Sequence, residues 1–174
     1  MIINYVVLNI KKVEIWPLEE VKNYLRISYE YDDKLINNLI ATAIDVAELF
    51  TGLNFYKRQL SCKVSGLSST TIRLKYIPIL EIDEIYWLKK GEKCNITNDF
   101  GYAHTDKLCL SFKSHYVGED VEIQYRAGYR DSIPRSIQHG ILMHIASMYE
   151  NPESAAMLSA QIKDLYMPYR EIKI

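Results

Sequence analysis

Residues 33–52 read DKLINNLIATAIDVAELFTG, and the period of this stretch decides the fold. Leu35, Ile36, Leu39, Ile40, Ala43, Ala47 and Phe50 recur at three- and four-residue spacing and make one apolar stripe over four turns. Asn37, Asn38, Asp45 and Glu48 fall away from it. Asp32 or Asp33 can cap the start, and Gly52 stands where helices end in a left-handed residue. The spacing predicts a helix over about residues 33–51. Upstream, Pro17 suits the opening of a helix, and Glu19 and Glu20 meet its positive end. Leu18, Val21, Tyr24 and Leu25 predict a short amphipathic helix, followed by an SYEYDD loop. Residues 1–16, with Val6, Val7, Leu8 and Ile10, read as an extended arm or edge strand.

Beyond residue 55 the period falls from 3.6 to 2. Leu60, Cys62 and Val64 alternate with polar neighbours, as do Ile72, Leu74 and Tyr76 before Pro78. Ile82–Leu88 reads as a strand and KKGEK as a turn around Gly91. Leu108, Leu110 and Phe112 alternate, then Val121, Ile123 and Tyr125. Residues 55–127 therefore predict five or six short antiparallel strands. Helix returns at Pro134, with Ile137, Ile141, Ile145, Met148 and Tyr149 as its stripe and Asn151-Pro152 as its stop. A last helical piece is expected from Glu153 to Leu165. The expected fold class is α+β: N- and C-terminal helices (17–52 and 133–166) packed together, an inserted antiparallel β region (55–127) and a tail (167–174), all one domain over 1–174.

Composition narrows the function. The chain has 174 residues, 48% hydrophobic and 25% charged, which excludes a disordered or fibrous protein. No apolar run is long enough to span a membrane. MIINYVVLNIKK lacks a basic lead and a cleavage pattern, so no signal peptide is expected. Three cysteines, an odd number, predict a reducing compartment without a disulfide framework. The net charge of −1 is too low for a protein that lives by gripping phosphate. Fourteen tyrosines fit either AT-rich codon usage or an interface-rich surface.

Catalytic and metal patterns do not assemble. Cys94, His104, Cys109 and His115 share a stretch, but no pair has zinc-ligand spacing. His139 and His144 are five residues apart, about 140° around a helix, so one ion does not see both. His144 reads as a core or interface residue and His139 as solvated. No nucleophile elbow or phosphate-binding glycine loop occurs. Glu19/Glu20, Asp32/Asp33 and Glu81/Asp83/Glu84 are explained by a helix start, a cap and a strand edge. Lys89, Lys90 and Lys93 flank a turn and read as a solvated tip, with DNA phosphate as the other option. No cofactor is expected, and the chain reads as an assembly protein, not an enzyme.

Two segments carry a resemblance. LEEVKNYLRISYEYDDKLINNLIATAIDVAELFTG has a short helix ending in Leu25-Arg26, an acidic loop, central alanines at 41, 43 and 47, and Glu48, Phe50, Thr51 and Gly52 at its close. YRAGYRDSIPRSIQHGILMHIASMYENPE has Tyr125, Ala127, Gly128 and Tyr129 at a strand exit, Pro134 opening a helix, and Tyr149-Glu150-Asn151. With Met167-Pro168-Tyr169-Arg170 at the end, this ordered set resembles the head–tail connector (neck adaptor, head completion) family of long-tailed bacteriophages and prophages. The resemblance implies a structural virion protein: a ring of about a dozen copies beneath the portal, joining portal to a downstream neck or tail protein, with DNA passing through. The implied partners are further copies of itself, the portal protein and that neck or tail protein; contact with passing DNA is non-specific, and no membrane is involved. The implied location is the virion neck, and host cytoplasm during assembly. The aromatic-plus-arginine composition of the C-terminal end makes Tyr166, Tyr169 and Arg170 the expected partner-docking residues. The rival reading is a DNA-binding or carbohydrate-active module using the β region.

Overall fold

The computed structural model describes residues 1–11, 15–89, 91–102, 109–152 and 157–170. The chain forms two compact units, one from residues 1–13 and 56–130, the other from 14–55 and 131–174. The class is mixed α+β, with sheet dominating.

The first unit holds β1 (Ile2–Lys11), β2 (Lys57–Ser65), β3 (Thr71–Arg73), β4 (Ile79–Lys89), β5 (Glu92–Asn95), β6 (Phe100–Tyr102), β7 (Cys109–Phe112) and β8 (Asp120–Ala127). A five-stranded sheet runs β1-β2-β8-β4-β5 and a three-stranded one β3-β7-β6. Every pairing is antiparallel. Alternation sends Leu60, Cys62 and Val64 of β2 and Val121, Ile123 and Tyr125 of β8 into one core. Ile72, Leu110 and Phe112 of the smaller sheet complete it. Among the described residues seven strands follow residue 55, where five or six were expected. β3, β5 and β6 have only three or four residues, too few to show a period. Residues 2–11 are not a separate arm: β1 is the edge of the larger sheet, in register with β2 from Ile2↔Ser65 to Lys11↔Lys57.

The outer face of that sheet carries a buried carboxylate. Glu122 is 4% exposed, accepts a hydrogen bond from Ser61 Oγ (3.0 Å) and pairs with Lys93 Nζ (2.8 Å). Burial pushes its carboxyl up, but the bonds from Lys93 and Ser61 outweigh this and hold it below the ordinary range. A depressed native value stabilises the fold above the ordinary carboxylate value and is lost as pH falls through the native one. Glu122→Gln is therefore expected to flatten the acid limb of this unit's stability curve, measured by urea unfolding between neutral and acid pH. An unchanged limb would mean that other carboxylates set it.

The second unit holds α1 (Leu18–Leu25), α2 (Asp33–Thr51), α3 (Arg135–Glu150) and α4 (Ala160–Tyr166). The bounds of α2 agree with its apolar period, and Gly52 ends it at φ 76°. Its buried face is rotated from the expected stripe: Ile36, Ile40, Ala43, Ile44 and Ala47 point inward, while Leu35 lies exposed. Tyr24 of α1 is also exposed, and Lys22 is buried with its Nζ 2.7 Å from Asp33 Oδ1. That hydrogen bond raises the Lys22 ammonium above its usual value. Tyr29 and Tyr149 hydroxyls both reach Asp32 Oδ2, at 3.1 and 2.6 Å, tying the loop before α2 to the end of α3. Among the described residues the stretch 133–166 holds two α-helices, and the second begins at Ala160 where Glu153 was expected, with Ser159 Oγ accepting from the Ile162 amide. Residues 153–156 lie outside the described ones.

Candidate functional site

The C-terminal end was the expected docking surface, and the structure separates its three residues. Tyr166 is fully buried. Its ring lies 6.0 Å from that of Phe50 in α2 and covers Gly140 of α3, where an added Cβ would sit 2.5 Å from Tyr166 Cε1. Burial raises its phenol well above the usual tyrosine value. Tyr166 is thus a packing residue, because the small Gly140 opens a slot that only a large ring fills. Tyr169 is half-buried in a 3-10 turn (Met167–Tyr169) and its hydroxyl accepts a hydrogen bond from Ser136 Oγ at 3.0 Å. Arg170 is exposed, its guanidinium 5.2 Å from the centre of the Phe50 ring. Tyr169 and Arg170 therefore sit on the surface of the helical unit, held in place by α2 and α3.

A second surface was not legible in the sequence. At one end of the larger sheet, Lys11, Lys57, Arg58, Arg126 and Arg130 line a cleft of about 510 Å³ with Glu81. Register builds it. Asn9↔Gln59, Gln59↔Arg126 and Arg126↔Glu81 form one cross-strand row over β1, β2, β8 and β4. Arg126 is clamped by Glu81 Oε2 (2.6 Å) and Asp83 Oδ1 (2.8 Å). The five cations span residues 11 to 130, so no local cluster announced them; the Lys57-Arg58 doublet is the only trace.

The remaining candidates have structural roles. Glu81 and Asp83 converge on Arg126, Glu84 accepts from Tyr86, and Asp33 pairs with Lys22. Lys89 lies over the Trp87 ring and Lys93 pairs with Glu122; Lys90 is outside the described residues. His139 is exposed and His144 buried. His104 lies outside the described residues, and among those described no three histidine, cysteine or carboxylate side chains gather as a metal site. Among the described residues no helix is long and apolar enough to cross a membrane.

The cysteines differ sharply in access. Cys62 is fully buried beside Tyr5, and burial pushes its thiol up to about 11, whereas Cys94 is exposed. A maleimide at neutral pH is expected to label Cys94 in the folded protein and Cys62 only after denaturation. Equal labelling of both in the folded state would contradict this core.

The chain belongs to the head completion protein family, whose model matches residues 14–156. It is a structural component of virion assembly in bacteriophages, a head–tail connector and not an enzyme. No curated protein sequence matches it. Among solved structures, its fold is similar to chains in the neck of an empty gene transfer agent particle computed with C6 symmetry (TM-score 0.76, 15% identity) and the virion of a native one (0.75, 15%). The neck of a native particle computed with C12 symmetry gives 0.71 and 16%. Each alignment covers 100% of this chain and 97% of the other.

Proposed function

We propose that this chain forms a ring beneath the portal of a long-tailed phage or prophage, joins the portal to the next neck or tail protein, and lets DNA pass through the bore. The observation that carries the proposal is the family match over residues 14–156. The fold shared over the full chain with neck components of C6- and C12-symmetric reconstructions supports it. In this reading both units, with the helical ends packed as one body, act as a single connector domain over 1–174. The protein works in the virion neck after assembly in the host cytoplasm, and its contact with DNA is non-specific. A ring needs one patch of each copy to meet a different patch of the next. Tyr169 and Arg170 offer an anchored aromatic-arginine pair to the portal or the tail-side protein.

Electron microscopy and mass measurement of the purified chain with and without portal test this. Rings on portal are expected, and persistent monomer that ignores portal would refute the proposal. Arg170→Ala is expected to weaken portal or tail attachment while leaving the unfolding free energy within about 0.5 kcal/mol of the parent, as for an exposed position. Intact attachment would remove Arg170 from the interface.

A further inference from the structure

We infer that the basic cleft of the sheet unit is one half of the contact between copies, and that it receives the acidic tyrosine loop of the neighbouring copy. The inference rests on the ring reading and adds its two faces. Five cations in one cleft leave 16 basic residues against 21 carboxylates elsewhere, so a chain of net charge −1 is strongly polarised. Arg126 is held by carboxylates on both sides, while Lys11, Lys57 and Arg130 make no ion pair among the described residues. The cleft offers long aliphatic stems, Leu80 and a fork of guanidinium groups. That chemistry accepts a carboxylate bidentately and stacks on an aromatic face.

The loop before α2 supplies both groups. Glu30 is exposed between Tyr29 at 51% and Tyr31 at 92% exposure, and Leu35 follows at 47%. Such a tyrosine is costly to leave in water and belongs to the side chains that carry interface energy. The loop is not slack, because Tyr29 and Tyr149 both bond Asp32, so Tyr31 is presented from a fixed base. Cleft and loop are different patches, and their pairing is heterologous, the type of contact that closes a ring. DNA phosphate is the weaker occupant for this cleft. A conduit must release its cargo, and each unneutralised cation facing the bore would add a phosphate contact.

Two experiments test the pairing. Lys57→Glu with Arg130→Glu, and separately Glu30→Lys, are each expected to raise the concentration for half-assembly on portal about tenfold or more, without moving the melting midpoint. Glu30→Lys placed in the same chain as Lys57→Glu restores complementarity at every contact and is expected to recover assembly. In the second experiment, one protein carries Gln59→Cys and another Tyr31→Cys, both with Cys94 and Cys109 replaced by serine. The mixture is expected to form a disulfide-linked heterodimer under mild oxidation. If the parent assembles on portal but charge reversal has no effect and no heterodimer forms, the cleft–loop pairing is wrong and the ring reading stands. If the parent never assembles, the ring reading falls, and the absence of the heterodimer would remove the pairing as well. Salt-dependent binding of a 30-bp duplex that is lost in the Lys57→Glu/Arg130→Glu variant, with assembly intact, would overturn the pairing in favour of DNA.

Discussion

Replacing Tyr166 by alanine is expected to destabilise the helical unit by about 3–5 kcal/mol, enough to unfold much of it at moderate temperature. The ring is fully buried, meets Phe50 of α2 and fills the slot over Gly140 of α3, so its loss empties a junction of three helices. Tyr166→Phe is the informative companion. The hydroxyl makes no hydrogen bond among the described residues, and a buried polar group left unsatisfied costs about 1–3 kcal/mol. The phenylalanine variant should match or exceed the parent in stability and should assemble normally. Circular dichroism melts and portal assembly read both outcomes. If Tyr166→Phe kept its melting point but lost assembly, the phenol would be a docking group after all.

Gly128→Ala is expected to cost the sheet unit about 2–4 kcal/mol. Gly128 has φ 119°, a region that residues with a Cβ avoid. An added Cβ would overlap the carbonyl oxygen of Tyr56 and lie 2.9 Å from its carbonyl carbon. Those are backbone atoms that cannot swing aside. The Gly128 amide also donates to Pro78 O at 2.9 Å, so the close approach is part of how the chain leaves β8. Urea unfolding should show the midpoint moving down with an unchanged slope. A neutral result would mean that the strand exit relaxes around the new methyl.

These two glycines show what the sequence discloses and what it withholds. Gly128 stood inside a recognisable Tyr-x-Ala-Gly-Tyr stretch, and the structure supplies the physical cause: positive φ with backbone packed against it. Gly140 interrupts a helical stripe, and nothing local reveals that a ring 26 positions later needs its space. The long helix was legible to its ends because its period is sustained for 19 residues and bounded by Asp32 and Gly52. Which flank of its stripe turns inward depends on what packs against it, so Leu35 was misplaced and Ile44 overlooked. Residues 1–16 read as an extended arm or an edge strand; choosing the edge strand depends on pairing with β2, some 50 positions away, which spacing along the chain does not show. The basic cleft is of the same kind. Lys11, Lys57 and Arg130 become neighbours only when three strands come into register, and spacing along a chain carries no record of that.

The larger sheet ends at β1, whose Ile2, Val6, Leu8 and Ile10 are all exposed and whose outer rim pairs with no other described strand. Newly made molecules therefore circulate with a strip of bare amides and carbonyls that any extended peptide could zip onto. The irregularity between Val7 and Asn9 and the ammonium of Lys11 break that strip into short runs, which blunts runaway stacking without sealing it. Shelf life before incorporation is thus governed by crowding as well as by folding strength, and dilution is the natural preservative of the unassembled pool.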